Sequence, residues 1–152
     1  MTFKHILLTT DLSPQAVRPF ATISELAKAS GARVTILHVV PDLQVIPHGA
    51  PMAPKQSSPV VPREMQKATS ELEAQRATLA DGVEVETAVI SHEDVATGVA
   101  EYAAEHDVDL IAISTHGRTG FRHLLIGSVA EAVLRHSPVP VLSFPRPSKK
   151  RS

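Results

Sequence analysis

The chain has 152 residues, of which 43% are hydrophobic and only 3% aromatic, so its core has to be built from aliphatic side chains. A formal net charge of -1 excludes the global basic field of nucleic-acid-binding proteins, and the absence of Cys excludes a disulfide scaffold and a thiolate metal site. The sequence has neither a signal-peptide pattern nor the roughly 20 apolar residues of a membrane span, so we expect a cytoplasmic protein without membrane or nucleic-acid partners.

The first third of the sequence predicts a strand, a helix and a second strand. Residues 4–10 have an apolar centre, which is typical of a strand. Ser13 is suited to cap a helix with Pro14 in its first turn, and Gly31 is suited to end that helix after Ser30. Residues 33–40 are apolar and β-branched, which indicates a buried strand.

A proline-rich segment, residues 41–63, has neither a helical nor an alternating pattern. Because proline fixes φ and removes a backbone donor, we expect a long surface loop with extended pieces here. Loops of this length are lids, interface segments or disordered. We expect the loop to be an insertion within one domain over residues 1–145, followed by a basic flexible tail at residues 146–152.

The rest of the sequence continues to alternate between helices and strands. Ser91 and Asp94 resemble a capping box before one of the helices. The predicted elements are, in chain order, a helix that starts near Met65 and stops at Asp81-Gly82, a strand over 83–89, a helix over 95–106, a strand over 109–114, a helix over 128–136 and a strand over 139–144.

This alternation predicts an α/β fold, a three-layer sandwich in which helices cover both faces of a five-stranded parallel sheet. Ligands of such sheets bind at the carboxyl ends of the strands, where the strand order reverses. If the order is 3-2-1-4-5, strands one and four are neighbours at that point. The turn Thr9-Thr10-Asp11 and the turn that begins at Ser114 would then face one crevice.

The turn after the fourth strand has features of a polyphosphate cradle. Gly117 and Gly120 permit a loop of successive N–H groups that can bind an anion, and Gly127-Ser128 opens a helix whose N-terminus favours a phosphate. Arg118 and Arg122 could add positive charge. The spacing of His116 and His123 does not favour a metal site.

Each of these residues also has an ordinary structural explanation. Ser128 and Glu131 form a formal capping box, and Asp11 could cap the helix that follows it. His116 could be a hydrogen-bonded loop residue, and Arg118 an ordinary solvated charge.

The segment Ser114-x2-Gly117-x9-Gly127-Ser128 resembles the signature G-x2-G-x9-G-(S/T) of the universal stress protein family. The segments Ile-Leu-Leu-Thr-Thr-Asp-Leu-Ser at 6–13, Leu-His-Val-Val at 37–40 and Pro-Val-Pro-Val-Leu at 138–142 are also similar to that family. The resemblance covers residues 3–144 except the proline-rich loop. Ser114 stands where the family has its first glycine, and a left-handed backbone at a serine would be costly.

The resemblance implies an adenine nucleotide alpha hydrolase-like fold with strand order 3-2-1-4-5 and a homodimer formed through the last strand, residues 139–144. In the ATP-binding branch, the aspartate matching Asp11 lies by the ribose and adenine, and the residue matching Val39 meets adenine through its backbone. The residues matching Gly117, Gly127 and Ser128 hold ribose and phosphates. The candidate binding residues are Thr9, Thr10, Asp11, Val39, Ser114, His116, Gly117, Arg118, Gly127, Ser128 and Val129.

These observations predict a module for stress response or signalling that binds ATP, with ADP, AMP and an accompanying Mg²⁺ left open. Any hydrolysis should be slow and no residue is assigned as catalytic, because the sequence has no Walker A loop and no carboxylate placed to activate water. One alternative is a nucleotide-free dimeric interaction module of the same family, which Ser114 favours. The other is an ATP-using enzyme of a related fold, although a Ser/Gly-rich loop after the first strand and a His-x-Gly-His element are both missing.

Overall fold

Five parallel strands form the centre of the structure, a computed structural model that describes residues 2–79, 81–114 and 128–145. The strands are β1 (His5–Thr9), β2 (Arg33–Pro41), β3 (Val85–His92), β4 (Leu110–Ser114) and β5 (Val141–Phe144). The helices are α1 (Phe20–Ser30), α2 (Val61–Arg76), α3 (Val95–Glu105) and α4 (Ser128–His136), with a short 3-10 helix at Pro14–Val17. The strand order is β3-β2-β1-β4-β5, so the predicted fold and order are confirmed.

Alternate residues of the central strands are buried on opposite faces of the sheet, as the two-residue period of a strand requires. On one face Ile6 and Leu8 pack with α1 and with Leu72 of α2. On the other face Leu7 packs in the cluster that holds Val99 of α3 and Val133 of α4. Helices therefore cover both faces, which explains why the central strands are continuous apolar runs.

The prediction of one continuous helix after β1 is wrong, because the chain forms two helical segments there. The 3-10 helix ends at Val17 and α1 begins at Phe20. Pro19 has no N–H and so cannot continue the hydrogen bonds of the first segment. Its carbonyl accepts the first hydrogen bond of α1, from the Ile23 N–H at 2.9 Å. Gly31 ends α1 with φ 69°, as predicted.

The capping box predicted at Ser91 is also wrong, since β3 continues to His92 and includes Ser91. Asp94 is the N-cap of α3 and accepts a hydrogen bond from the Thr97 N–H at 2.8 Å. This bond stabilises the ionised carboxylate and lowers the pKa of Asp94.

The proline-rich loop spans residues 42–60, because Pro41 belongs to β2 and α2 already begins at Val61. Buried Asp42 closes its base by accepting hydrogen bonds from the Ser57 hydroxyl at 2.7 Å and the Ser58 N–H at 3.0 Å. Further out, Val45 and Gln56 form an antiparallel bridge with two N–H···O bonds of 2.8 Å. The loop is thus closed upon itself.

Within the described ranges, no helix combines the length and the apolar character that crossing a membrane would need.

Candidate functional site

The carboxyl ends of β1, β2 and β4 open into a crevice of about 390 Å³, a size typical of small-molecule sites. It lies where the strand order reverses, because the chain passes from β1 to β2 on one side while β4 adjoins β1 on the other. The crevice is lined by Thr9, Thr10, Asp11, Leu12, Ala16, Leu37, His38, Val39, Val40, Pro41, Glu64, Lys67, Ala68, Glu71, Val95, Val99, Ile113, Ser114, Ser128, Val129 and Ala130.

Seven of the eleven residues that the sequence singled out lie in this lining. They are Thr9, Thr10, Asp11, Val39, Ser114, Ser128 and Val129. The other four, His116, Gly117, Arg118 and Gly127, lie outside the described residues, as do Gly120 and Arg122. Ser114 and Ser128, which flank residues 115–127 in the sequence, both line the crevice.

The turn after β1 is held by its own polar side chains. The Leu12 N–H donates to Thr10 Oγ1 at 3.0 Å, while the Ser13 N–H and hydroxyl donate to Asp11 Oδ1 at 2.9 and 2.5 Å. Leu12 adopts φ 66°, a left-handed conformation that is uncommon for a residue with a Cβ. These bonds hold the half-buried carboxylate of Asp11 in the wall of the crevice.

Strand β2 contributes both a polar and an apolar side chain to the crevice. His38 Nδ1 donates to the Thr10 carbonyl at 2.8 Å, which joins β2 to the turn after β1 and shows that Nδ1 carries a proton. Val39 is only 5% exposed and packs with Val99 of α3. His38 belongs to the segment 37–40 that resembles the family, but no sequence pattern marked its side chain as part of a site.

Helix α2 forms a wall of the crevice that the sequence analysis missed. Its contribution is Glu64, Lys67, Ala68 and Glu71, which share one face by helical spacing. Lys67 Nζ lies 4.0 Å from Glu71 Oε1, with both side chains largely exposed, so this pair adds little stability. The shared face was visible in the sequence, but nothing there indicated that this face meets the strand ends.

The described residues contain no group of three or more His, Cys, Asp or Glu side chains that could hold a metal ion. Among the described residues that line the crevice, Lys67 is the single Lys or Arg. The arrangement therefore offers an apolar floor at Val39, a carboxylate at Asp11 and the N-terminus of α4 at Ser128. Such a site suits a ligand with an apolar ring, hydroxyl groups and an anionic end.

Comparison with protein families gives a match to the universal stress protein family over residues 2–145. A universal stress protein of Methanocaldococcus jannaschii is 28% identical over 148 residues, which are 97% of this chain and 85% of that protein. Universal stress protein A homolog 1 of Coxiella burnetii is 30% identical over 145 residues, covering 94% of this chain and 96% of that one. The chain belongs to the universal stress protein family.

Solved structures of this family share the fold. Universal stress protein UspA from Lactobacillus plantarum matches with a TM-score of 0.74 at 24% identity, over 95% of this chain and 99% of that one. The universal stress protein of Archaeoglobus fulgidus in complex with dAMP matches with a TM-score of 0.62 at 20% identity, over 96% of this chain and all of that one. A universal stress protein in complex with cAMP matches with a TM-score of 0.58 at 20% identity, over 94% and 97%.

Proposed function

We propose that this protein binds an adenine nucleotide, with ATP as its ligand, in the crevice between β1 and β4. The protein would act as a stress-response or signalling module in the cytoplasm, and the binding residues would be the eleven candidates named above. The observation that carries the proposal is the meeting of Asp11, Val39 and Ser128, which are far apart in the sequence, in one lining.

The chemistry of the lining supports each part of such a ligand. Adenine would lie against the apolar side chains at the end of β2, where Val39 is buried. The carboxylate of Asp11 is an acceptor for ribose hydroxyls. The N-terminus of α4 at Ser128 favours phosphate, because its first N–H groups lack helical partners. Two proteins of the same fold are known in complex with cAMP and dAMP, which supports adenine as the base.

The first prediction tests the carboxylate. Asp11→Asn keeps an oxygen for the Ser13 hydrogen bonds but removes the charge, so we expect ATP to bind about 10- to 100-fold more weakly, as for loss of a hydrogen bond to a charged group. Titration calorimetry with ATP and Mg²⁺ measures this. Asp81→Asn, at an exposed position outside the crevice lining, is the matched control and should bind as the wild type does. Equal affinity in the wild type and Asp11→Asn would contradict the assignment of Asp11.

A nucleotide-free dimeric interaction module is the second candidate. It is favoured by Ser114, which lines the crevice and stands where the family signature has glycine. Chromatography of the supernatant from denatured, freshly purified protein separates the two. An adenine nucleotide near one per chain supports the first proposal. A supernatant without nucleotide, together with no heat of binding for ATP, ADP or AMP, supports the second.

A further inference from the structure

The backbone of the turn that carries Asp11 is in a conformation that its own sequence does not favour. Leu12 has φ 66°, and no glycine is present from Thr10 to Ser13 to make such a conformation easy. Thr10 Oγ1 stabilises this conformation by accepting a hydrogen bond from the Leu12 N–H at 3.0 Å. Whatever orients that hydroxyl therefore influences where the turn places Asp11.

Gln75, in the last turn of α2, orients it. The Thr10 hydroxyl donates to Gln75 Oε1 at 2.6 Å, which directs its proton away from Leu12 and leaves a lone pair for the Leu12 N–H. Gln75 Nε2 donates to the Ser13 carbonyl at 3.2 Å. One side-chain amide thus holds the turn on both sides of Asp11. The two partners also fix the orientation of the amide, since a flipped group would bring Oε1 against the Ser13 carbonyl oxygen.

Gln75 is half-buried and lies outside the residues that line the crevice, so it has no direct route to a ligand there. It is one helical turn beyond Glu71, the last residue of α2 in the lining, and therefore couples that wall to the turn after β1. His38 holds the same turn from β2 through the Thr10 carbonyl at 2.8 Å. Bonds from two elements confine the turn to one arrangement.

We propose that Gln75 is a positioning residue for nucleotide binding, which acts through Thr10 and Ser13 to hold the carboxylate of Asp11 toward the crevice. This inference rests on the proposed function. It implies that the affinity for the nucleotide depends on an amide that does not touch the nucleotide.

The test compares Gln75→Met, which keeps the length of the side chain and removes its hydrogen bonds, with Gln66→Met at an exposed position of the same helix. Titration with ATP and Mg²⁺, well below the melting temperature of each variant, should give about fivefold weaker binding for Gln75→Met and no change for Gln66→Met. Thr10→Val removes the hydroxyl between Gln75 and Leu12 and should weaken binding at least as much, because Thr10 also lines the crevice. Because both changes break the Thr10–Gln75 hydrogen bond, the loss in the double variant should be smaller than the sum of the two single losses.

Amide hydrogen exchange separates positioning from a general loss of stability. In the ligand-free Gln75→Met variant, the Leu12 and Ser13 amides should exchange faster than in Gln66→Met, while amides of β4 keep their protection. Wild-type affinity in Gln75→Met, losses that add in the double variant, or faster exchange throughout the sheet would each overturn the proposal while the proposed function stands. Failure of the wild type to bind any adenine nucleotide would overturn both.

Discussion

At the scale of single residues, His5 is a titratable group buried far from the crevice, at the amino end of β1. Only 3% of it is exposed, Nδ1 donates to the His106 carbonyl at 2.9 Å, and Nε2 accepts from the Thr35 hydroxyl at 2.7 Å. Burial lowers the pKa of His5 because the charged imidazolium loses its hydration, and the nearby Arg33 guanidinium acts in the same direction. The ring is therefore neutral in the folded protein at neutral pH.

The stability of the fold should fall as the pH is lowered through the range of His5. Above its ordinary pKa of 6.5 the side chain is neutral in both the folded and the unfolded protein. Below that value the unfolded chain is protonated at His5 while the folded chain is still neutral there, so protonation favours unfolding. Urea denaturation at pH 7.5 and 5.5 should show a lower free energy of unfolding at pH 5.5. His5→Gln should reduce this dependence, and His48→Gln, at an exposed position in the proline-rich loop, should not. An equal pH dependence in wild type and His5→Gln would show that His5 is not responsible.

At the scale of elements, α3 approaches the sheet closely through Gly98. A Cβ at this position would lie 3.0 Å from the His92 Cβ and 3.2 Å from Val39 Cγ1, closer than most packed Cβ atoms come to their neighbours. His92 itself pairs with Glu101 of α3 at 3.2 Å. The absence of a side chain at Gly98 therefore lets α3 lie close to the floor of the crevice.

Gly98→Val should force α3 away from the ends of β2 and β3. We expect destabilisation of about 1–3 kcal/mol, as for other overpacked sites. Ala104→Val, on the exposed side of the same helix, measures the helix propensity of valine alone and should cost less than about 0.7 kcal/mol. Chemical denaturation gives both values. Because Val39 lines the crevice, Gly98→Val should also weaken ATP binding, and a variant as stable as the wild type would refute the close-packing argument.

At the scale of the whole molecule, β5 is an edge of the sheet that carries an exposed apolar side chain. Leu142 on β5 is 37% exposed. We propose, as the family resemblance implies, that this edge pairs with a second copy of the chain, which would cover both the strand edge and Leu142. Pro138 and Pro140 precede the strand, so pairing is confined to residues 141–144.

A charge at this edge should prevent the pairing. We expect sedimentation at micromolar concentration to show a dimer for the wild type and a monomer for Leu142→Lys, because a buried unpaired lysine is costly at an interface. Leu43→Lys is the control, since Leu43 is 75% exposed on the proline-rich loop, and it should leave the dimer intact. A monomeric wild type would contradict the proposed edge pairing.

Sequence patterns alone determined the alternation of strands and helices, the two-sided cover of the sheet and the polar turn at the end of β1. These follow from local periodicity and from the rules for parallel sheets, whereas the strand order that brings Asp11 and Ser114 to one crevice was implied by the family resemblance. Local patterns gave a wrong prediction where two of them disagree. Ser13 and Gly31 favour one helix between them, whereas Pro19 divides that segment into two.

The tertiary structure alone decided which other elements meet at that crevice. One wall of the crevice comes from α2, which lies far from β1 in the sequence. The hydrogen bonds from His38 and Gln75 to the turn after β1 likewise join residues that are 28 to 65 positions apart. No local pattern encodes such pairings. Burial has the same origin, since His5 becomes a buried, neutral group when Thr35 and His106 pack against it. Composition determines that a core forms, but packing of distant segments determines which polar groups are enclosed by it.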